Sequence, residues 1–330
     1  LDQVSLYVSP EFSFRNFQIR SGLRMQFYRV RFDPYIEPRM RVVWNRGIHQ
    51  ISASGGMYQQ ELIGLNDRRD AANVFTAWTN IPKEQDDVQD VREGRISRAW
   101  HGILGYHVQP TSWMEMSVEG FYKNYSNLFI AEWTAFPRFT TRLQPANGRS
   151  YGAESRITFK WPNFYAYINY GYSNTAYWAQ QASLDLWYGQ EKLRFTPPHD
   201  RRHQVNVLAS ATLWGFDLSV RWAFGSGRPF SRAVGFDGFV LVDDLTPIHR
   251  KPGSRRVIYE RPYNARLPAY HRMDISLERS FNLDPVDLTV QGTLINAYDR
   301  RNIFYLDVFT LQRADQLPLV PSFGVKVAFN

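Results

Sequence analysis

From Phe323 to Phe329 the sequence alternates with a period of two. Phe323, Val325, Val327 and Phe329 fall on one face, and Gly324, Lys326 and Ala328 fall on the other. This is the period of a strand, not of a helix. The apolar side of this strand has no later element to cover it. Lipid is a surrounding that would, and the rest of the sequence bears on that expectation.

Aromatic residues make up 16% of the 330 residues, as 19 Tyr, 23 Phe and 10 Trp. Yet the mean hydropathy is −0.43, so the chain is polar on average while rich in rings. A membrane barrel accounts for both, because lipid-facing residues alternate with polar interior ones and aromatic girdles mark the two interfaces. The sequence contains no run of 18 uncharged apolar residues, which excludes helical membrane spans. It has no cysteine, hence no disulfide or thiol chemistry. The 39 basic and 31 acidic residues give +8, but they are spread singly along alternating segments without a basic cluster, which argues against nucleic acid as a partner. The chain opens Leu1-Asp2-Gln3 with neither a basic nor an apolar leader, so no signal peptide is expected within it.

In order along the chain, strands are expected over residues 4–12, 17–27, 38–44, 49–62, 101–108, 113–133, 151–160, 164–172, 205–213, 216–224, 273–281 and 288–295, with the closing strand last. Two long loops interrupt them. Residues 64–98 are polar and carry the acidic run Glu84-Gln85-Asp86-Asp87. Residues 228–267 are basic, with Arg228, Arg232, Arg250, Lys251, Arg255, Arg256, Arg261 and Arg266 against four acidic residues. Loops of that length count against a compact soluble domain and are ordinary on the outer rim of a barrel.

Short turns near residues 13, 46, 111, 162, 215 and 283 alternate with longer connections, of which the one near residue 33 is brief. An up-and-down barrel sorts its connections in this way, and a soluble sandwich has no reason to. The fold class expected is therefore all-β, an antiparallel transmembrane barrel with about thirteen strands present. With an odd number of strands, the first and last both run toward the short-turn side, so they could close a ring only by a parallel pairing. Residues 1–330 are thus expected to be one portion of a larger barrel.

Catalytic and metal readings find little support. His101 and His107 share a strand face but lie about 20 Å apart at strand rise, too far to chelate one ion. No spacing joins a Ser to a His as nucleophile and base, so no enzymatic role, metal site or cofactor is expected. The polar-face charges Arg20, Arg24, Arg39, Arg41, Glu115, Glu119, Arg156, Asp217, Arg221, Asp274, Glu278 and Lys326 are expected to face a lumen, either hydrating it or lining a solute path. Trp78, Trp133 and Trp178 near the long-loop rim could stack a ligand or belong to a girdle. Arg250, Arg255 and Arg256 could meet an anionic solute or lipopolysaccharide phosphates.

Four stretches resemble the C-terminal barrel of TonB-dependent receptors, the large outer-membrane importers. LINAYDRRNIFY (residues 294–305) resembles the penultimate strand of that family, and PPHDRRHQVN (197–206) a loop-to-strand junction further upstream. FGSGRPF (224–230) resembles a strand exit into an external loop, and LPLVPSFGVKVAF (317–329) the final strand. Members usually end on an aromatic residue, whereas here Phe329 is followed by Asn330. The resemblance implies a barrel of about 22 strands with a plug domain that this sequence does not show. It also implies active, TonB-coupled uptake across the outer membrane of a bulky scarce solute such as an iron-siderophore, cobalamin or glycan. Its implied partners are membrane lipid, lipopolysaccharide, the ligand, and the coupling complex acting through the plug. A passive porin-like channel and a soluble all-β interaction protein remain the alternatives.

Overall fold

A computed structural model of the chain describes residues 3–28, 31–60, 62–66, 76–80, 96–131, 143–180, 189, 192–238, 255–306 and 312–329. Thirteen strands follow one another in a single sheet: β1 (Gln3–Val8), β2 (Phe17–Tyr28), β3 (Arg31–Arg46), β4 (His49–Gln60), β5 (Ser97–Thr111), β6 (Met114–Ala131) and β7 (Leu143–Trp161), then β8 (Phe164–Gln180), β9 (His203–Leu213), β10 (Phe216–Gly225), β11 (Tyr270–Asn282), β12 (Val286–Ile295) and β13 (Val320–Phe329). Every strand pairs antiparallel with its neighbours in the sequence. Two further pieces join this sheet. Glu11–Phe14 continues β1 along β2 after an interruption at Ser9-Pro10, where proline has no N–H to give the ladder. Lys192–Phe195 runs back along the end of β8.

The short connections are tight turns. Trp214 and Gly215 both take positive φ, 53° and 78°, the signature of a two-residue turn that follows the twist of its strands. The opposite rim carries the long connections, apart from the two residues between β2 and β3, and several of these contain structure of their own. Residues 64–98 begin as a hairpin of Leu62–Asn66 with Thr76–Asn80. Residues 228–267 hold the pairs Pro229–Phe230 with Ala265–Arg266 and Ala233–Gly238 with Arg255–Tyr259. A further hairpin joins Ile303–Leu306 to Arg313–Asp315.

The strands outrun their sequence expectation at this rim. β3 starts at Arg31 rather than 38, β7 at Leu143 rather than 151, and β8 ends at Gln180 rather than 172. The segment from Trp178 to Asp200, expected as a loop, is strand at both its ends. The extra residues lack strict alternation, because above a bilayer both faces of a strand meet polar surroundings.

Register sorts the side chains onto two faces. One face carries Val290 beside Val325, Leu288 beside Val327, and Val220 beside Ile275. Among the described residues none covers it: Phe323 is 73% exposed and Phe329 81%, with Val4, Leu104 and Val118 similarly open. In water each such side chain would forgo about 1.5–3 kcal/mol of burial. The clustered buried apolar residues Ala179, Leu193 and Phe195 lie instead at the long-loop end.

Aromatic rings bound this apolar face at two levels. Near the short turns, Trp113 stacks on Trp161 with centroids 5.0 Å apart, and Trp161 meets Phe164 at 5.4 Å. Toward the other rim, Tyr170 Oη lies 2.9 Å from His203 Nδ1, and Tyr298 Oη 2.8 Å from His271 Nδ1. Phe164 and Tyr172 on β8 are eight residues apart. At strand rise and barrel tilt that separates the two levels by ~20 Å, close to the height of a hydrocarbon band.

Candidate functional site

The opposite face is polar, and its charges are drawn together by register. Arg20 lies opposite Arg41, Arg24 opposite Glu37, Glu119 opposite Glu154, and Arg156 opposite Ser117. Glu115 faces Thr158, Arg221 faces Asp274, and Asp217 faces Glu278. Many are held by local partners. Arg20 is ion-paired with Glu11, Lys160 Nζ donates to Glu115 over 2.7 Å, and Arg272 meets Asp274 at 2.9 Å. Glu37 is only 1% exposed and accepts from Gln26 Nε2, Arg39 Nη2 and the Gln59 amide, each at 2.7 Å. A buried carboxylate with three donors is satisfied, and such a group fixes the wall rather than a ligand.

Two features of this face have the chemistry of a binding surface. The first is a recess of about 690 Å³ flanked by Arg20, Arg24, Arg39, Arg41, Tyr7 and Tyr58. The second is a run of rings that starts at this recess. The Arg39 guanidinium sits 4.5 Å over Tyr58, Tyr58 packs on His101 at 4.6 Å, and His101 meets Tyr125 at 6.4 Å. Tyr125 then meets Tyr177 at 6.3 Å, Tyr177 meets Phe195 at 5.9 Å, and Phe195 meets Tyr263 at 5.8 Å. Close approach of β6, β7 and β8 permits this: a Cβ at Gly148 would stand 2.5 Å from the Tyr177 ring. Cations beside flat rings suit a solute that combines negative charge with planar or apolar surface.

A third feature fixes the loops. Asp200, its side chain wholly buried, accepts from the Thr175 amide at 3.0 Å, Arg202 Nε at 3.0 Å and Arg266 Nη2 at 2.7 Å. Arg266 Nη1 also donates to Gly227 O at 2.9 Å. Strand β8, the start of β9 and both ends of the 228–267 loop thereby meet at one carboxylate. The backbone is so close here that a Cβ at Gly227 would lie 1.6 Å from Leu267 O.

Of the proposed ligand residues, only Trp178 has a described side chain. Trp178 lies on the apolar side, next to Tyr177 in sequence but pointing away from the ring run. Its ring is flanked by Arg149 at 5.0 Å and Arg194 at 5.9 Å. One residue of register separates the two faces. Arg255 and Arg256 pair with Gly238 and Asp237 in the loop hairpin, and Trp78 pairs with Gly64 in the other, only their backbones being described. Arg250 and Trp133 lie outside the described residues. The polar-face rings Tyr58, Tyr125 and Tyr177 escaped the sequence argument, which weighed His101 only as a metal ligand. Continuing the alternation of β8 past Tyr172, through Ser173 and Thr175 to Tyr177, is the signal that finds the last of them.

An antiparallel sheet with sorted rims, an uncovered apolar face and a charged opposite face defines the wall of a transmembrane β-barrel. More particularly, the fold is that of the barrel of TonB-dependent outer-membrane receptors. The FrpB iron transporter of Neisseria meningitidis superposes with a TM-score of 0.60 at 11% identity, over 98% of this chain and 44% of that one. The ferric citrate transporter FecA gives 0.62 at 13% identity, over 99% and 45%. The ferripyoverdine receptor of Pseudomonas aeruginosa gives 0.62 at 11% identity, over 98% and 38%. These neighbours are transporters or receptors, not enzymes. This chain therefore spans less than half the length of the structures it matches. No protein-family model matches the sequence, and no curated protein matches it.

Proposed function

We propose that residues 1–330 form wall and external loops of a TonB-dependent active transporter in the outer membrane of a Gram-negative-type cell. The observation that carries this is the pairing of a lipid-suited apolar face with a charged, ring-bearing inner face in the receptor-barrel fold. In this reading the polar face, with Arg20, Arg24, Glu115, Glu119, Arg156, Arg221, Asp274 and Glu278, lines the lumen. The 64–98 and 228–267 loops are external, where Trp78, Arg250, Arg255 and Arg256 meet incoming solute. The transported solute is bulky and scarce, with an iron chelate favoured over cobalamin or a glycan. The basic recess at Arg39 and Arg41 supports an anionic chelate, as do neighbours described as iron and ferric citrate transporters. Energy reaches the site through a plug and the coupling complex, while lipid and lipopolysaccharide surround the wall.

Uptake of radiolabelled ferric chelates by cells producing the whole protein tests this. Accumulation is expected to stop when the proton-motive force is collapsed or the coupling complex is deleted. Uptake that persists under both treatments, with open conductance in planar bilayers, would establish the passive porin-like channel instead.

A further inference from the structure

At the long-loop ends of β10 and β11, next to the 303–306/313–315 hairpin, is a second cavity of about 310 Å³ that is separate from the recess on β1–β4. Three arginines line it, Arg201, Arg228 and Arg301, and no carboxylate is among its lining residues. The neighbourhood is not short of acids. Arg202 and Arg266 share Asp200, Arg232 has Glu260, Arg272 has Asp274, and Arg313 has Asp315. The fold thus neutralises the surrounding arginines, and among the described residues Arg201 and Arg301 line the cavity without a carboxylate partner.

Arg201 is also held in place. Its guanidinium lies 5.5 Å over the Tyr270 ring and packs so closely on Gly225 that a Cβ there would stand 2.7 Å from Nη1. Its carbonyl accepts from Ser173 Oγ at 3.1 Å, which fixes the backbone behind it. Burial and then the charge of Arg228 push the Arg201 guanidinium below its ordinary value. Gly225 and Tyr270 are register partners on the polar face, so the cavity opens inward and not toward lipid.

We propose that this cavity is a subsite for an oxyanionic group, a carboxylate or phosphate, carried by the transported solute. The inference rests on the transporter reading for its direction, though not for the binding itself. Planar guanidinium groups match two-oxygen anions, Tyr270 and Phe304 are among the lining residues, and the volume admits a headgroup of tricarboxylate or diphosphate size but not a whole bulky chelate.

Calorimetric titration of the whole detergent-solubilised protein with citrate and with pyrophosphate, at low ionic strength, is the test. Wild type is expected to bind both. Arg201→Gln and Arg301→Gln are each expected to weaken binding about tenfold or more, and added salt to weaken it further. Arg301 is exposed, so its variant keeps the test open where Arg201→Gln disturbs folding. Arg149→Gln and Arg194→Gln, beside Trp178 on the other face, are expected to leave anion affinity unchanged. Failure of wild type to bind either probe overturns the proposal, as does equal affinity in all variants. Loss of co-purifying lipopolysaccharide from Arg301→Gln with soluble-anion affinity intact overturns it in favour of a lipid phosphate. The titration needs no energy source. Anion binding without energised uptake would therefore sink the transporter reading alone.

Discussion

Replacing Asp200 by alanine should loosen the external loops while leaving the wall standing. The carboxylate accepts three hydrogen bonds, two of them from guanidinium groups. Breaking a wholly buried ion pair from one side costs about 3–5 kcal/mol, chiefly through the stranded charge. Here the stranded charges are less isolated, since the side chains of Arg202 and Arg266 are 31% and 37% exposed and water can reach them. Each charge-assisted bond is worth about 1.5–3 kcal/mol, so a net loss near 3 kcal/mol is expected. Asp200→Asn can still accept from Thr175 and should lose about half as much. The loss should be local, because the carboxylate joins loop ends and not strand pairs of the central sheet. Limited proteolysis in detergent should therefore cut Asp200→Ala within residues 228–267 about a hundredfold faster than wild type, with the sheet circular dichroism unchanged. A cleavage rate within about threefold of wild type would refute the latch, as would cleavage that appears only with global unfolding.

Three other outcomes are expected. Val325→Arg, at the middle of β13 on the apolar face, should destabilise refolded protein in lipid vesicles by about 2–4 kcal/mol in urea titration, while Lys326→Ala on the opposite face should change little. Gly152→Ala should reduce folding yield sharply, since its Cβ would stand 2.0 Å from Tyr172 O across the β7–β8 pair; a yield equal to wild type on a gel-mobility assay would contradict that packing. Hydrogen bonds from Arg232, first, and its charge hold the Glu260 carboxyl below its ordinary range. The contact is then fully present above the ordinary carboxylate value and lost only as pH falls through the lowered one. Loop cleavage by an acid-active protease should accelerate only in that lower window, and Arg232→Gln should move the acceleration upward in pH.

The wall was legible in the sequence because lipid and lumen impose opposite demands on alternate residues. Thus Met273, Ile275 and Leu277 against Asp274, Ser276 and Glu278 reads directly as β11. The count of thirteen strands and the sorting of turns from loops follow from the same contrast. Above the membrane the contrast lapses, and with it the ends of β3, β7 and β8. The site was less legible for a related reason. Rings such as Tyr58 and Tyr177 serve on the inner face as readily as on the girdles, so residue type alone does not assign them. Trp178 shows how one position of register decides the matter. Arg201 had no distinguishing signal in Asp200-Arg201-Arg202. Only three-dimensional pairing separates Arg202, held by Asp200, from Arg201, which turns to the cavity.

Because each strand pairs only with its neighbours in sequence, the length of a connection is almost independent of the integrity of the sheet. Loop-closure entropy rises only logarithmically, by about 0.6 kcal/mol for each doubling of length. A connection as long as residues 228–267 thus costs the β10–β11 pairing only about 2 kcal/mol more than a turn of a few residues would. Recognition loops on such a sheet can lengthen, shorten or exchange sequence almost without reference to the strands beneath them. Selection on solute and selection on folding then act on separate parts of one chain.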